Sequence, residues 1–443
     1  MKNCFRKCCC AVFCCTCCGK TAEDVTNQDT ILLPIQDATR QELETENLYI
    51  FGSVPLELQK FLLEGYGRNP VVKIACGKYH YIILLTNNRL IGFGLNNVGQ
   101  LGLPVETKEV TQITELKINL PNENLENFEI LDIAAGDEYS LILIRTQDNH
   151  FKIIKFGMDN IHKYINPQNL SFQKIEKLPD TIFGNITNII AFEKRKIFWT
   201  EQNEVYLGGR DFYGTELDDY ILLKKFQTKI KNIFLLKESC YVQDEENEIF
   251  ILGENSYREL GYEVTSVNDF VPFCFEFTKS KIKKICAGAR HVLFLLENGE
   301  LFCLGDNSEG QCCGANSTCN TPYRIELNSK LKVLDCYAGY NHNLIILENG
   351  SVYTWGNTNN GKLGYFEDNF SQEAPKELFQ MKIVFINKVC LGNEITVIVG
   401  GKEEDSIINK LKPKKRLKEE LDSKKKKSLN KKENKENKER RRT

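Results

Sequence analysis

"CYAGYNHNLIILENGSVYTWGNTNNGKLG", residues Cys336 to Gly364, carries the spacing G-x-x-x-x-G-K of a phosphate-binding loop at Gly356 to Lys362. Such a loop also needs a Ser or Thr after the lysine to hold Mg²⁺, and a helix whose first amides face the phosphates. Leu363 and Gly364 follow instead. Recurrence decides what the stretch is. "ICAGARHVLFLLENGELFCLGDNSEGQCCG" (Ile285 to Gly314) and "IACGKYHYIILLTNNRLIGFGLNNVGQLG" (Ile74 to Gly102) repeat it, and weaker copies begin at Ile133, Ile190 and Ile233. A glycine closing the second apolar run falls at Gly94, Gly157, Gly208, Gly253, Gly305 and Gly356, at separations of 63, 51, 45, 52 and 51 residues.

Each copy reads as apolar strand, two-residue turn, apolar strand and Gly-containing loop. The turns are "NNR", "DNH", "QNE", "ENE", "ENG" and "ENG", where Asn and Gly supply the positive φ of tight hairpins. Units of roughly fifty residues accommodate four strands each, with the outer strands in the variable segments. The ends of the repeat region complete the count: "KVCLGNEITVIVG" (Lys388 to Gly400) is a first half without its second strand, and "NLYIFGS" (Asn47 to Ser53) is a second strand without its first. The predicted fold is therefore all-β, a seven-bladed β-propeller over 47–400 with a split closing blade built from both ends. Pairing those ends removes the open sheet edges that otherwise aggregate. In this fold "GNTNNGKLG" is a turn, and its glycines serve backbone geometry.

The formal charge of −2 over 443 residues conceals an asymmetry. From Lys410 to Thr443 there are 17 Lys and Arg against 6 acidic residues, so this tail carries +11 and the rest of the chain −13. Cysteine is uneven too: 8 of the 18 are Cys4, Cys8, Cys9, Cys10, Cys14, Cys15, Cys17 and Cys18. The other ten lie mostly in apolar runs, where Cys behaves as a small hydrophobe, and do not read as a disulfide framework. No run reaches the roughly 18 to 20 apolar residues that span a bilayer.

The A-G-x-x-H, the N-G turn, the V-Y-x-W-G strand and the N-x-x-G-x-L-G loop resemble the repeat of the regulator of chromosome condensation family, over about Asn47 to Gly400. The resemblance implies a seven-bladed propeller. It also implies a role for the opening turn of each unit, since in the founding member acidic and His residues there meet a Ran-type small GTPase and assist nucleotide release. The matching positions are His80, Asp137, His291 and His342. Units three and four depart from the pattern, with Glu193 and Leu236 in place of the opening Gly and Lys194 to Lys196 and Lys237 to Ser239 around the His position. The insertions Leu116 to Phe128 and Asn166 to Asn185 are long enough to supply the family's projecting exchange loop. From the residues alone, three histidines in one register read first as ties between blades. One His per unit without clustered thiolates or carboxylates is not metal-ligand spacing, so no metal and no cofactor is expected.

No nucleophile, base and orienter assemble into a known signature, which leaves covalent catalysis without a candidate. The rim of a propeller instead offers loops on a rigid ring to protein partners. The segment 1–20 is an S-acylation candidate: clustered cysteines with Lys2, Arg6, Lys7 and Lys20 meet the requirement for two membrane signals. A short signal peptide and a thiolate metal or redox site are the competing readings. Residues 21–46 read as a polar linker. The tail 401–443 is charge-rich and poor in apolar residues, as in disordered chains. Its clusters around Lys414, Lys415 and Arg416 and around Lys424, Lys425, Lys426 and Lys427 fit acidic lipid, nucleic-acid backbone or nuclear import, or a solvated tail with no dedicated partner. The expectation is a monomeric, non-enzymatic interaction scaffold at a cytoplasmic membrane face. The alternative is an exchange factor for a Ran-type small GTPase, nuclear if the tail directs import.

Overall fold

The computed structural model describes residues 47–401, apart from 53–59, 63–69, 121–126, 158–172, 183, 276, 278–279, 315, 328, 366–370 and 379–384. The Cys-rich segment, the polar linker and the basic tail, with every acylation and tail residue named above, lie outside the described residues.

Among the described residues, twenty-eight strands form seven four-stranded antiparallel sheets. The closing blade has the order β2-β1-β28-β27, with β1 at Asn47–Gly52, β2 at Lys60–Leu62, β27 at Phe385–Leu391 and β28 at Ile395–Gly401. Blade one holds β3 (Val71–Cys76), β4 (His80–Leu85), β5 (Leu90–Leu95) and β6 (Glu109–Leu116). Blade two holds β7 (Glu129–Ala135), β8 (Tyr139–Arg145), β9 (Phe151–Gly157) and β10 (Gln173–Ile175). Blade three holds β11 (Ile186–Phe192), β12 (Arg195–Thr200), β13 (Glu204–Arg210) and β14 (Glu216–Lys225). Blade four holds β15 (Ile230–Leu235), β16 (Ser239–Asp244), β17 (Ile249–Glu254) and β18 (Ser266–Pro272). Blade five holds β19 (Ile282–Ala287), β20 (His291–Leu296), β21 (Leu301–Asp306) and β22 (Thr318–Arg324). Blade six holds β23 (Val333–Ala338), β24 (His342–Leu347), β25 (Val352–Asn357) and β26 (Ser371–Glu377).

The first strand of each blade is innermost. The strands β3, β7, β11, β15, β19, β23 and β27 each touch the next, and β27 returns to β3, so the ring is closed. Closure is made by hydrogen bonding as well as packing: β1 pairs with β28, Tyr49 opposite Ile398 and Ile50 opposite Val397. The N-terminal end supplies two strands to this blade, because Lys60–Leu62 adds its outer edge, which the sequence pattern did not reveal.

Second strands such as HYIILL, HVLFLL and HNLIIL are buried along their whole length. Both of their faces meet apolar neighbours, as their unbroken apolar runs require. The cores accordingly lie between blades. Val292, Phe294 and Leu296 of blade five pack with Tyr241 and Ile251 of blade four, while Leu293 and Leu295 face Cys336 and Ile345 of blade six.

The hairpin turns differ in detail from the expected two-residue loops. Only one residue per turn has positive φ, at Asn88, Asn149, Asn203, Asn247, Gly299 and Gly350, and its amide bonds to the carbonyl three residues earlier. This is a three-residue loop, a type I turn followed by one left-handed residue. Asn fills that position four times because its short polar side chain tolerates it.

A second recurring position explains the landmark glycines. In each blade the residue opposite the start of the second strand has positive φ: Gly52, Gly94, Gly157, Gly209, Gly253, Gly305 and Gly356. In blade three this residue is Gly209 and not Gly208, because the turn from β11 to β12 is shorter and Arg195 begins the second strand. A Cβ on Gly356 would lie 2.6 Å from the Asn341 carbonyl oxygen. Gly356→Ala is therefore expected to lower the unfolding free energy by about 2 to 4 kcal/mol, by backbone strain plus the clash. Urea unfolding followed by tryptophan fluorescence checks this, and an unchanged midpoint contradicts it.

Candidate functional site

The turns joining first to second strands gather at one rim around the axis. Their amides bond from blade to blade: Asp137 N–H donates to the Glu193 carbonyl (2.9 Å), Lys237 to Ala289 (2.7 Å), Ala289 to Tyr340 (2.9 Å) and Tyr340 to Gly392 (3.1 Å). Glycine opens most of these turns because the next blade's backbone is too close for a side chain. A Cβ on Gly136 would collide with the Glu193 carbonyl and the Tyr139 ring.

Just beneath this rim lie the three repeated histidines, all with no exposed surface. His80 Nε2 is 2.9 Å from Ser140 Oγ in the next blade, and that hydroxyl donates to the Gln100 carbonyl at 2.7 Å. With its proton spent there, Ser140 accepts from the imidazole. His291 repeats the arrangement: Nε2 meets Asn343 Oδ1 at 2.8 Å, and Asn343 Nδ2 donates to the Gln311 carbonyl at 2.9 Å. His342 Nε2 is 2.9 Å from Thr396 Oγ1 of the closing blade. Tyr139 and Arg195 take the same role elsewhere, the Tyr139 hydroxyl donating to the Arg195 carbonyl (2.7 Å) and the Arg195 guanidinium to the Lys237 carbonyl. Burial pushes the His80 imidazole down to about 4 and holds His291 and His342 below the ordinary histidine range. Of the two readings of this register, the geometry is that of ties between blades. His150 is exposed beside Asp148, and His162 lies outside the described residues.

Lys362, the apparent phosphate-loop lysine, is also a tie. Its ammonium donates to Asn341 Oδ1 (3.1 Å) of its own blade and, in the closing blade, to the Asn393 carbonyl (3.2 Å), and lies 3.4 Å from Glu394 Oε2. In sister loops Asn96, Asn255 and Asn307 bind carbonyls through the side-chain NH₂ and an amide through the oxygen, which shapes the loop from within.

The surface-facing groups of this rim are the residues one position after each opening turn residue. Lys78, Asp137, Lys194, Lys237, Tyr340 and Asn393 come from six blades and line an axial cup of about 280 Å³ with Glu193, Arg195 and Arg210. Glu193 organises it from a left-handed backbone (φ 49°). Its carboxylate accepts the Tyr340 hydroxyl at 2.9 Å and lies 3.6 Å from the Lys237 ammonium, while Tyr340 stacks on Phe192 at 5.9 Å. Blade six is thereby held to blade three across the axis. Burial, reinforced by the Glu193 charge and opposed by Lys78, pushes the Asp137 carboxyl up to about 6. Of the four residues singled out from the sequence, Asp137 alone lines the cup. Tyr340, Glu193 and Lys237 were missed, although the position after the opening glycine marks the first of these and, by alignment, Lys237. Of the two long insertions, 121–126 and 158–172 lie outside the described residues, and Gln173–Ile175 is the outer strand of blade two. Among the described residues no group of three or more His, Cys, Asp or Glu is placed to hold a metal ion.

A closed ring of seven four-stranded repeats around a loop-lined axial cup defines a β-propeller. The regulator of chromosome condensation (RCC1) repeat is matched at 71–100, 246–295, 282–311, 298–346 and 337–362. The chain carries RCC1 repeats and is an RCC1-like seven-bladed propeller. It is 22% identical over 334 residues to the ultraviolet-B receptor UVR8 of Arabidopsis thaliana, covering 71% of this chain and 70% of that protein. To the RCC1-like G exchanging factor-like protein of Mus musculus it is 23% identical over 323 residues, covering 66% and 68%. Its fold is similar to that of Prp20p from Saccharomyces cerevisiae, a protein studied for its binding to Gsp1p and histones, with a TM-score of 0.66 at 18% identity over 86% of this chain and 96% of that one.

The buried histidines set a pH dependence. A folded-state value near 4 for His80 lies below its unfolded value near 6.5, so the folded protein binds fewer protons. The stability it contributes is full above about pH 6.5 and is lost as pH falls through about 4. His80→Gln is expected to lower the unfolding free energy at pH 7.5 by about 1 to 3 kcal/mol, from the lost imidazole–Ser140 hydrogen bond and lost packing. By pH 4.5 the gap to the parent should narrow clearly in parallel urea titrations. An equal gap at both pH values means that the imidazole is not held neutral.

Proposed function

We propose that this protein is a non-enzymatic scaffold that docks protein partners on the rim bearing the axial cup, and that its N-terminal cysteines tether it to an acidic membrane face. The observation that carries the docking half is the convergence of side chains from six blades on one cup. Charged and aromatic groups on a backbone fixed by inter-blade bonds lose little freedom when a partner seats on them. Tyr79, 41% exposed next to Lys78, extends the surface outward from the cup. The tether rests on composition: acyl chains on several cysteines, with nearby lysines and arginines, satisfy the two-signal requirement. The basic tail has the charge to bind the same acidic lipid.

A second reading is exchange-factor activity on a Ran-type small GTPase. The name of the mouse relative and the Gsp1p binding of Prp20p favour it. The position of Asp137 in the cup is compatible with it. The three histidines would then act only by holding the rim in shape.

Three measurements test these readings. Replacing the eight N-terminal cysteines by serine is expected to move the protein from the membrane to the soluble fraction; an unchanged distribution refutes the tether. Asp137→Lys combined with Lys237→Glu should abolish partner binding to the full-length chain while its unfolding midpoint stays within a few degrees. If a small GTPase releases nucleotide faster with the protein, and Asp137→Ala cancels this, the exchange reading replaces the scaffold.

A further inference from the structure

Ten cysteines lie among the described residues, and two of them meet across the seam between blades five and six. Cys286 is on β19 and Cys336 on β23, the innermost strands of neighbouring blades. Their sulfurs are 3.7 Å apart, and the Cys286 thiol donates to the Cys336 carbonyl at 3.0 Å. A disulfide needs the sulfurs at about 2 Å, so closure requires these two to approach by less than about 2 Å. Cys286 is partly exposed whereas Cys336 is fully buried.

We infer that Cys286 and Cys336 are a peroxide-responsive thiol pair, Cys286 the attacking and Cys336 the resolving cysteine, which closes into a disulfide between blades five and six.

The local chemistry favours that division of labour. The hydrogen bond from the Cys336 thiol, aided by the Lys284 ammonium and opposed by burial, holds the Cys286 thiol below the usual cysteine range. Lys284 is fixed there by Asp335 at 2.6 Å and by the Tyr337 ring, whose centroid is 3.9 Å away. The shared hydrogen bond and burial hold the Cys336 thiol well above that range, as suits a group that acts second. In the first step the Cys286 thiolate attacks one oxygen of hydrogen peroxide; the S–O bond forms, the O–O bond breaks, and the departing hydroxide takes the proton that Cys286 released. In the second, the Cys336 sulfur attacks the sulfenic sulfur, the S–S bond forms, and the hydroxyl leaves as water with the Cys336 proton. Two thiols are oxidised and one peroxide is reduced to two waters. The closing seam holds a second contact of this kind, between Cys390 of β27 and Cys76 of β3, where burial comes first in raising the Cys76 thiol. Among the described cysteines with shifted thiols, Cys286 alone is held below the usual range, so the blade five–six pair reacts first.

The test uses the reduced full-length chain, treated with hydrogen peroxide, blocked with iodoacetamide, digested and mapped by mass spectrometry. A cross-linked Cys286–Cys336 peptide is expected, lacking two hydrogens, formed before any other propeller cross-link and removed by dithiothreitol. Cys336→Ser should leave a Cys286 sulfenic acid that dimedone traps, and Cys286→Ser should leave no dimedone adduct on Cys336. Alkylation of both cysteines after peroxide treatment of the parent, or a different first cross-link, overturns the inference; the parent chain alone decides this if a variant fails to fold.

Discussion

Everything in this molecule depends on the hydrogen-bonded pairing of β1 with β28, residues that stand at opposite ends of the repeat region. Seven sheets that each bury both faces against neighbours have no stable outermost member unless the last meets the first. The split blade provides that meeting, with Asn47 opposite Gly400 and Gly52 opposite Ile395. Because the bonds are made within one sheet, opening the ring there means breaking a strand ladder and exposing an unpaired edge, not merely parting two packed surfaces.

Between blades the same task is repeated with different chemistry. Apolar side chains of second and third strands fill the seams, and near the rim five of the seams carry a polar side-chain tie. Histidine, tyrosine, arginine and lysine all serve, because what the position requires is a donor that reaches the next blade, not a particular residue. Deeper, the inner strands carry ion pairs in matching places: Lys73 with Asp132 at the first seam and Lys284 with Asp335 at the fifth, both at 2.5 to 2.6 Å. Such pairs, half-buried and backed by further hydrogen bonds, contribute more to fixing the relative position of two sheets than to net stability.

Most of the architecture was legible in the sequence because it is written in backbone constraints. Asn88 and Gly299 mark a left-handed turn residue, and Gly94 and Gly356 mark a close approach that excludes a side chain; both signals survive where apolar residues vary. The weak third unit shows the limit. Its turn is shorter, so the alignment placed the landmark on Gly208, whereas the strained backbone belongs to Gly209. The short strand β2 left no pattern because three residues at an edge need none. The candidate site was half legible. Repetition drew attention to the histidines, whose imidazoles bond from blade to blade. Cup-facing residues differ from blade to blade, since each meets a different part of the axial space. Lys78, Asp137 and Tyr340 share a position but no chemistry, and only the geometry brings them together.

The split blade also fixes where the flanking segments begin. Asn47 and Gly400 are directly opposed in one ladder, so the two ends of the described ring lie side by side. Capture of either end by a surface then confines the other within its own reach of that surface, and the second attachment proceeds at the high local concentration of an intramolecular step. Were both flanking segments to hold one surface weakly, as proposed above, this geometry would make the two attachments one avid one.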